Sequence, residues 1–227
     1  MIIGNGLLAT ALKRHDIPNG NIIYLAAGVS DSAEKSPAEF LREEKLIRDC
    51  LSKNTRIVYF SSCSVLDPTK TDNPYVVHKL AMEKLLGQRS DTLILRLAQV
   101  VGKSSNLKLL TNFLFNKISR EESFSVWSQA RRNLIDVEHV VKIADHFCGT
   151  ITSPTKPINI ASADPVSSLE LVRIFEDVLG KKSKYALVDS GGNYDIDVEQ
   201  CLLAASCLNL DLKSSYAKRC IQKYYGQ

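Results

Sequence analysis

Ile57-Val58-Tyr59-Phe60-Ser61-Ser62-Cys63-Ser64-Val65-Leu66-Asp67, followed shortly by Pro74-Tyr75-Val76-Val77-His78-Lys79, is the stretch whose reading decides the fold. Its first four residues are β-branched or aromatic, the composition of a buried strand, and the serines after them end the run. The reading is a strand over residues 57–60, a hydroxyl-bearing loop over 61–67, and a helix opening near Pro74 and Tyr75. In open α/β sheets, chemistry sits at such carboxyl ends of strands.

Four residues apart on a helix, Tyr75 and Lys79 lie one turn apart on the same side. A phenol ionises near pH ~10, and an adjacent ammonium is expected to lower that value toward a usable acid/base, with Ser62 placed to orient a carbonyl or hydroxyl oxygen. Tyr-x-x-x-Lys arises by chance in a chain with eight tyrosines, and the bland reading is a helix with a solvated lysine. Context favours the catalytic one: a serine-ended strand upstream, an apolar helix over residues 80–86, and a glycine fingerprint at the N-terminus.

That fingerprint is Gly4-Asn5-Gly6-Leu7-Leu8-Ala9, of the form Gly-x-Gly-x-x-Gly/Ala. Gly4 and Gly6 suit a tight turn between a strand and the helix over 7–14, whose unpaired first amides can receive a pyrophosphate, and Ala9 permits close helix packing. A second strand over 21–25 runs into Ala26-Ala27-Gly28. No acidic residue stands where the adenine ribose is usually held: Asp16 falls too early, in a Pro/Asn/Gly turn, and Asp31 lies beyond the strand. A helix over 36–52 with Phe40, Leu41, Leu46, Ile47 and Leu51 inward leads to the central stretch, and a strand over 92–96 follows. This alternation argues a parallel, three-layer sheet. After Gly102 the pattern loosens: helices over 107–118, 137–147, 167–179, 198–208 and 212–225, strands over 123–126 and 157–161, and a loop at Gly191-Gly192.

A chain of 227 residues, 44% hydrophobic and 24% charged, suits one domain or a domain with a small lobe. No apolar run approaches the ~20 residues that span a bilayer and no signal-peptide pattern opens the chain, so the expectation is a cytoplasmic protein without a membrane partner. The net charge of +4 is interspersed with acids and gives no nucleic-acid footprint. Cys50, Cys63, Cys148, Cys201, Cys207 and Cys220 show no Cys-x-x-Cys pairing and read as reduced, mostly buried thiols. The histidines offer no metal-ligand spacing, so no metal site is expected.

Together these residues resemble the extended short-chain dehydrogenase/reductase family, the NAD-dependent sugar epimerases, dehydratases and 4-keto-sugar reductases. The matching blocks, in order, are residues 4–9, Leu25-Ala26-Ala27, 61–79, Leu95-Arg96 with Val101-Gly102, Asn133-Leu134-Ile135-Asp136-Val137, Ile158-Asn159-Ile160-Ala161 and Val166-Ser167-Ser168-Leu169-Glu170. The resemblance implies catalytic Ser62, Tyr75 and Lys79. It implies cofactor contacts at Gly4, Asn5, Gly6, Leu7, Leu8, Ala26, Ala27 and, at the nicotinamide ribose, Lys79. Gln99 matches a polar substrate contact, and Arg132 an arginine that clamps the nucleotide diphosphate. Two departures are Ala9 for a third glycine and Leu66 for a tyrosine. A larger one is a deletion: the two strands that the family carries between the first helix and the Ala26-Ala27 strand are missing.

The expected fold is therefore a Rossmann-like three-layer α/β fold with a shortened parallel sheet. Its cofactor-binding core takes residues 1–102 plus 133–161, and a small substrate lobe takes 103–132 and 162–227. Two functional readings stay open. The first is an NAD(P)-dependent oxidoreductase of the 4-keto-sugar reductase type acting on a nucleotide sugar with dissociable NAD or NADP, epimerase or dehydratase being the close alternative, and with a homodimer compatible with the family. The second is a degenerate dehydrogenase fold serving as a regulatory or scaffold partner.

Overall fold

The computed structural model describes residues 1–15, 21–154 and 156–226. The Pro/Asn/Gly turn around Asp16 lies outside the described residues. Strand and helix alternate through β1 (Ile2–Ile3), α1 (Leu7–Arg14), β2 (Ile22–Leu25), α2 (Pro37–Leu51), β3 (Arg56–Ser62), α3 (Pro74–Leu86) and β4 (Leu93–Leu97). The chain then runs through β5 (Gln99–Val101), α4 (Leu110–Ser119), β6 (Ser123–Trp127), β7 (Arg131–Arg132), β8 (Leu134–Asp136) and α5 (Val137–Thr150). It closes with β9 (Ile158–Ile160), β10 (Val166–Ser167), α6 (Ser168–Leu179), β11 (Lys184–Val188), α7 (Glu199–Cys207) and α8 (Tyr216–Tyr225).

Local chemistry sets the ends of the decisive elements. The Asn73 side chain accepts from the amides of Tyr75 (3.0 Å) and Val76 (3.3 Å) with Pro74 in the first turn, so α3 starts one residue before Tyr75. β3 runs further than residues 57–60: its ladder with β4 continues through Ser61↔Arg96 and Ser62↔Leu97, which puts both serines in the strand. The loop expected after Phe60 is two short 3₁₀ turns, Cys63–Leu66 and Pro68–Lys70.

The main sheet has the order β1-β2-β3-β4-β9, parallel throughout. Ala11 and Leu12 of α1 and Val140 and Val141 of α5 pack with Tyr24, Val58 and Phe60 on one face. Ile47 and Cys50 of α2 and Met82 and Leu86 of α3 pack with Ile23, Leu25, Ile57 and Tyr59 on the other. The steps from β1 to β4 all run one way across the sheet, yet α1 lies on the face opposite α2 and α3. The β1-α1-β2 unit therefore has the opposite hand to the two units after it. Taking those as right-handed, the hand of about 98% of such units, the first is left-handed. The deletion supplies the reason: in the 3-2-1-4 order of a dinucleotide fold the chain leaves β1 toward two strands that are absent here, and α1 keeps the face of that lost step.

The second half adds two-stranded pairs, β5 with β8, β7 with β10 and β6 with β11. β11 escaped the sequence reading because all its residues are exposed and no burial alternation marks it. The closing helix begins at Tyr216 rather than 212, and Leu41, expected inward, stands in solvent while Glu43 takes the buried position. No helix among the described residues is long and apolar enough to cross a membrane.

Gly4 has φ +133°, and a Cβ there would lie 2.3 Å from the Ala26 carbonyl oxygen. Gly4→Ala is expected to destabilise the fold by about 1–3 kcal/mol, the range for a strained backbone position, read as a lowered urea midpoint. A midpoint equal to wild type would show that the turn relaxes without strain.

Candidate active site

At the carboxyl end of β3, the Ser62 hydroxyl accepts from the Ser64 amide (3.1 Å), and the phenol of Tyr75, delivered by the first turn of α3, stands near it. Tyr75 is buried. Burial pushes its phenol up to about 12, against the lowering effect of the nearby Ser62 hydroxyl, with the charge of Glu43 among the lesser raising effects. This differs from the expected lowering by Lys79: Tyr75 stays a protonated phenol across the neutral range.

One helical turn along lies a buried ion pair. Lys79, 2% exposed, donates to Glu43 Oε1 (2.8 Å) and to the Tyr59 hydroxyl (3.1 Å), and its Nζ lies 5.7 Å from the centre of the Tyr75 ring. Glu43 is fully buried on α2 and takes four partners: Lys79, the Tyr59 hydroxyl (2.7 Å), His78 Nε2 (3.0 Å) and the Val29 amide (2.8 Å). Burial works to raise this carboxyl, but the His78 hydrogen bond, the Lys79 charge and hydrogen bond and the Val29 amide hold it at about 2. Burial lowers the Lys79 ammonium, opposed by Glu43. Gly28 makes the arrangement fit: a Cβ there would lie 2.5 Å from Glu43 Oε1 and 2.8 Å from Lys79 Nζ.

A second carboxylate continues the row. Glu83, one turn beyond Lys79, accepts from the Ser61 hydroxyl (2.6 Å) and from Arg96 (2.6 and 2.9 Å). Tyr75, Lys79 and Glu83, spaced i, i+4 and i+8, thus form one polar stripe of α3. Glu43 and Glu83 were missed by the sequence reading, although Phe40, Glu43, Ile47 and Cys50 share a helical face that would have flagged the first.

The glycine turn suits a pyrophosphate. A Cβ at Gly6 would meet nothing within 4 Å, and no side chain caps the amides that open α1. Asn5, Leu7 and Leu8 lie in this turn and first helical residues, and Ala26 and Ala27 stand opposite at the end of β2, where Arg42 donates to the Ala27 carbonyl (3.0 Å). The residues present fit the phosphate portion of a dinucleotide. On the adenosine side the sheet stops at β1.

Gln99 opens β5, its backbone amide bonded to the Asn133 carbonyl (3.0 Å) and its side-chain oxygen buried without a hydrogen-bond partner among the described residues. Arg132 on β7 donates to the Ser168 hydroxyl (3.2 Å), rests over the Trp127 ring at 5.7 Å, and forms no salt bridge among the described residues. Burial lowers its guanidinium, offset by the nearby Tyr194 and Asp67. Tyr194, unremarked in the sequence, lies near Ser64 and is pushed up to about 12 by burial. The structure thus gathers Ser62, Tyr75 and Lys79 around the end of β3, with Tyr194 near the Ser64 turn and Arg132. Among the described residues no group of His, Cys, Asp and Glu is arranged to hold a metal.

Residues 8–161 match the model of the NAD dependent epimerase/dehydratase family. No curated protein matches the chain. Among solved structures, RMD from Pseudomonas aeruginosa complexed with NADPH is 14% identical with a TM-score of 0.69, over 96% of this chain and 93% of that one. UDP-glucuronic acid 4-epimerase from Bacillus cereus, in complex with UDP-glucuronic acid and NAD, is 16% identical with a TM-score of 0.69, over 95% and 76%. A GDP-D-glycero-L-gluco-heptose synthase from Campylobacter jejuni, in the presence of NADPH, is 13% identical with a TM-score of 0.67, over 96% and 86%. At these identities the likeness is one of fold. The family match is of another kind, since it takes in more than half of the sequence and spans both the residues that follow the glycine turn and the strand, serines, tyrosine and lysine of the site: the chain belongs to the NAD-dependent epimerase/dehydratase family.

Proposed function

We propose that the protein is an NAD(P)-dependent reductase of a keto group on a nucleotide-linked sugar, using cofactor that dissociates after each turnover. The observation that carries this reading is the Tyr75 phenol, held protonated at neutral pH by burial and set beside Ser62 at the strand end where an α/β sheet does its chemistry. Relatives in fold complexed with NADPH, NAD and UDP-glucuronic acid support the class of ligand.

In this reading Gly4, Asn5, Gly6, Leu7 and Leu8 receive the pyrophosphate, with Ala26 and Ala27 on its other flank. Reduced nicotinamide bound there supplies a hydride to the sugar carbonyl carbon. Tyr75 gives its proton to the carbonyl oxygen, Ser62 orients that oxygen, and Lys79 supports the tyrosine and the nicotinamide ribose. Gln99 contacts the sugar, and Arg132, without a carboxylate partner among the described residues, offers its planar fork to the diphosphate. The residues 103–132 and 162–227 form the substrate lobe. A reductase is preferred to an epimerase because the sheet ends at β1 and leaves little wall for adenine, whereas an epimerase must hold its reduced cofactor through both half-reactions.

Tyr75→Phe is expected to lower turnover by about 10²- to 10⁴-fold with the fold intact, the usual contribution of a general acid. Near-wild-type activity removes Tyr75 from the mechanism. Arg132→Ala is expected to raise KM for a nucleotide sugar more than it lowers kcat, as loss of uniform binding does; equal affinity in the variant refutes the diphosphate assignment. The protein is expected to purify without nicotinamide and to bind added NADH and NADPH weakly with little discrimination. Stoichiometric NAD released on mild denaturation would favour an epimerase, and no binding of either cofactor at millimolar concentration would favour a non-enzymatic partner role.

A further inference from the structure

We propose that the chain recognises the nicotinamide mononucleotide half of its cofactor and leaves the adenosine half in solvent, so that reduced nicotinamide mononucleotide is nearly as good a ligand as NADH; this rests on the reading of the glycine turn and the β3 end as a cofactor site. The nicotinamide part is made of groups held out of solvent. Tyr75 and Lys79 are 5% and 2% exposed, Ser62 stands in the β3 ladder, and Glu43, Tyr59 and His78 complete a buried hydrogen-bond network around Lys79. Next to it, the first amides of α1 are uncapped by any side chain, with Gly6 open before them. Two cations reach the carbonyls that frame the turn: Lys13 donates to Gly4 (2.9 Å) and Arg42 to Ala27 (3.0 Å). Arg42 carries an ion pair with Glu39 and Lys13 forms none among the described residues, so positive charge stands beside an arriving phosphate.

Beyond the turn the sheet ends. Among the described residues no strand lies outside β1, which is two residues long, and Met1 at its start is 46% exposed. The turn itself is Gly4, Asn5 and Gly6, without an aromatic or aliphatic side chain for a purine to stack on, and Leu7 and Leu8 pack against the core. The carboxylate that follows β2 is not offered to an adenine ribose: Asp31 is paired with Lys108 at 2.8 Å and its charge reaches Tyr75, which puts it at the nicotinamide end. One half of the crevice is thus walled by buried, hydrogen-bonded groups and the other is an open sheet edge. A ligand group left in water adds little to affinity, because it removes no apolar surface from solvent.

The test needs no sugar substrate. Saturation-transfer NMR of NADH on the full chain reads both halves of the ligand at once and suits weak binding. The nicotinamide protons are expected to be saturated more strongly than the two adenine ring protons, and equal or stronger saturation of the adenine overturns the proposal. By calorimetry, the dissociation constants of NADH and reduced nicotinamide mononucleotide are expected to agree within about 10-fold, whereas a walled adenosine would separate them by about 10³-fold or more at the usual affinity per atom. A ratio above the expected one overturns the proposal, as does displacement of NADH by millimolar AMP. Arg42→Ala is expected to weaken both ligands by the same factor, about 2- to 5-fold for one exposed charge. Weakening of NADH alone would put Arg42 at the adenosine half and overturn the division of the site. NADH bound without the reduced mononucleotide overturns the half-site recognition and leaves the cofactor reading standing, and neither ligand bound at millimolar concentration overturns both.

Discussion

The buried contact between Glu43 and Lys79 is the interaction on which the arrangement of the site depends. Neither charge tolerates the interior alone, because an unpaired buried ion costs several kcal/mol or neutralises itself. Together, with Tyr59, His78 and Val29 completing the hydrogen bonds, they form a satisfied network that ties α2, α3, β3 and the loop after β2 into one unit. Tyr75 inherits its place from this unit, because α3 cannot shift along the sheet without breaking the pair.

The truncated sheet is the second constraint. Loss of two strands places β1 at an edge, turns the first crossover to the unusual hand, and leaves α1 on the face it occupies in a full dinucleotide fold. The geometry of the glycine turn survives this because it is local: Gly4 against Ala26 and an uncapped helix start need only β1, β2 and α1.

Much of this was legible in the sequence, and the parts that were not share a cause. Strand β3, helix α3 and the glycine turn are written in adjacent residues with strong periodicity and turn chemistry, so their places followed from the text. Ser62 and Tyr75 could be paired because one strand end and one helix start bring them together. Glu43 could not be assigned so easily: a glutamate on a surface helix normally faces water, and only the approach of Lys79, Tyr59 and Gly28 from three other segments reveals its role. Leu41 is the mirror case, an apolar residue assigned inward by type and found exposed. The expected lowering of Tyr75 did not follow because spacing along one helix says nothing of how deeply the phenol is buried. Tyr194 and β11 lie in the irregular second half, where no period announces them.

The two-residue edge strand gives the phosphate turn a thermodynamic character of its own. β1 is held by the Tyr24 amide on the Met1 carbonyl (2.8 Å), the Ala26 amide on the Ile3 carbonyl (2.9 Å) and the packing of Ala11 and Leu12, with nothing beyond it in the sheet. Short edges of this kind lie at the low end of local opening free energies. A ligand gripping the turn selects the docked population alone, so its apparent affinity is scaled by the fraction of molecules in which β1 is closed, and the bound ligand in turn holds that edge shut. Occupation of the turn and closure of the sheet's edge are a single linked equilibrium.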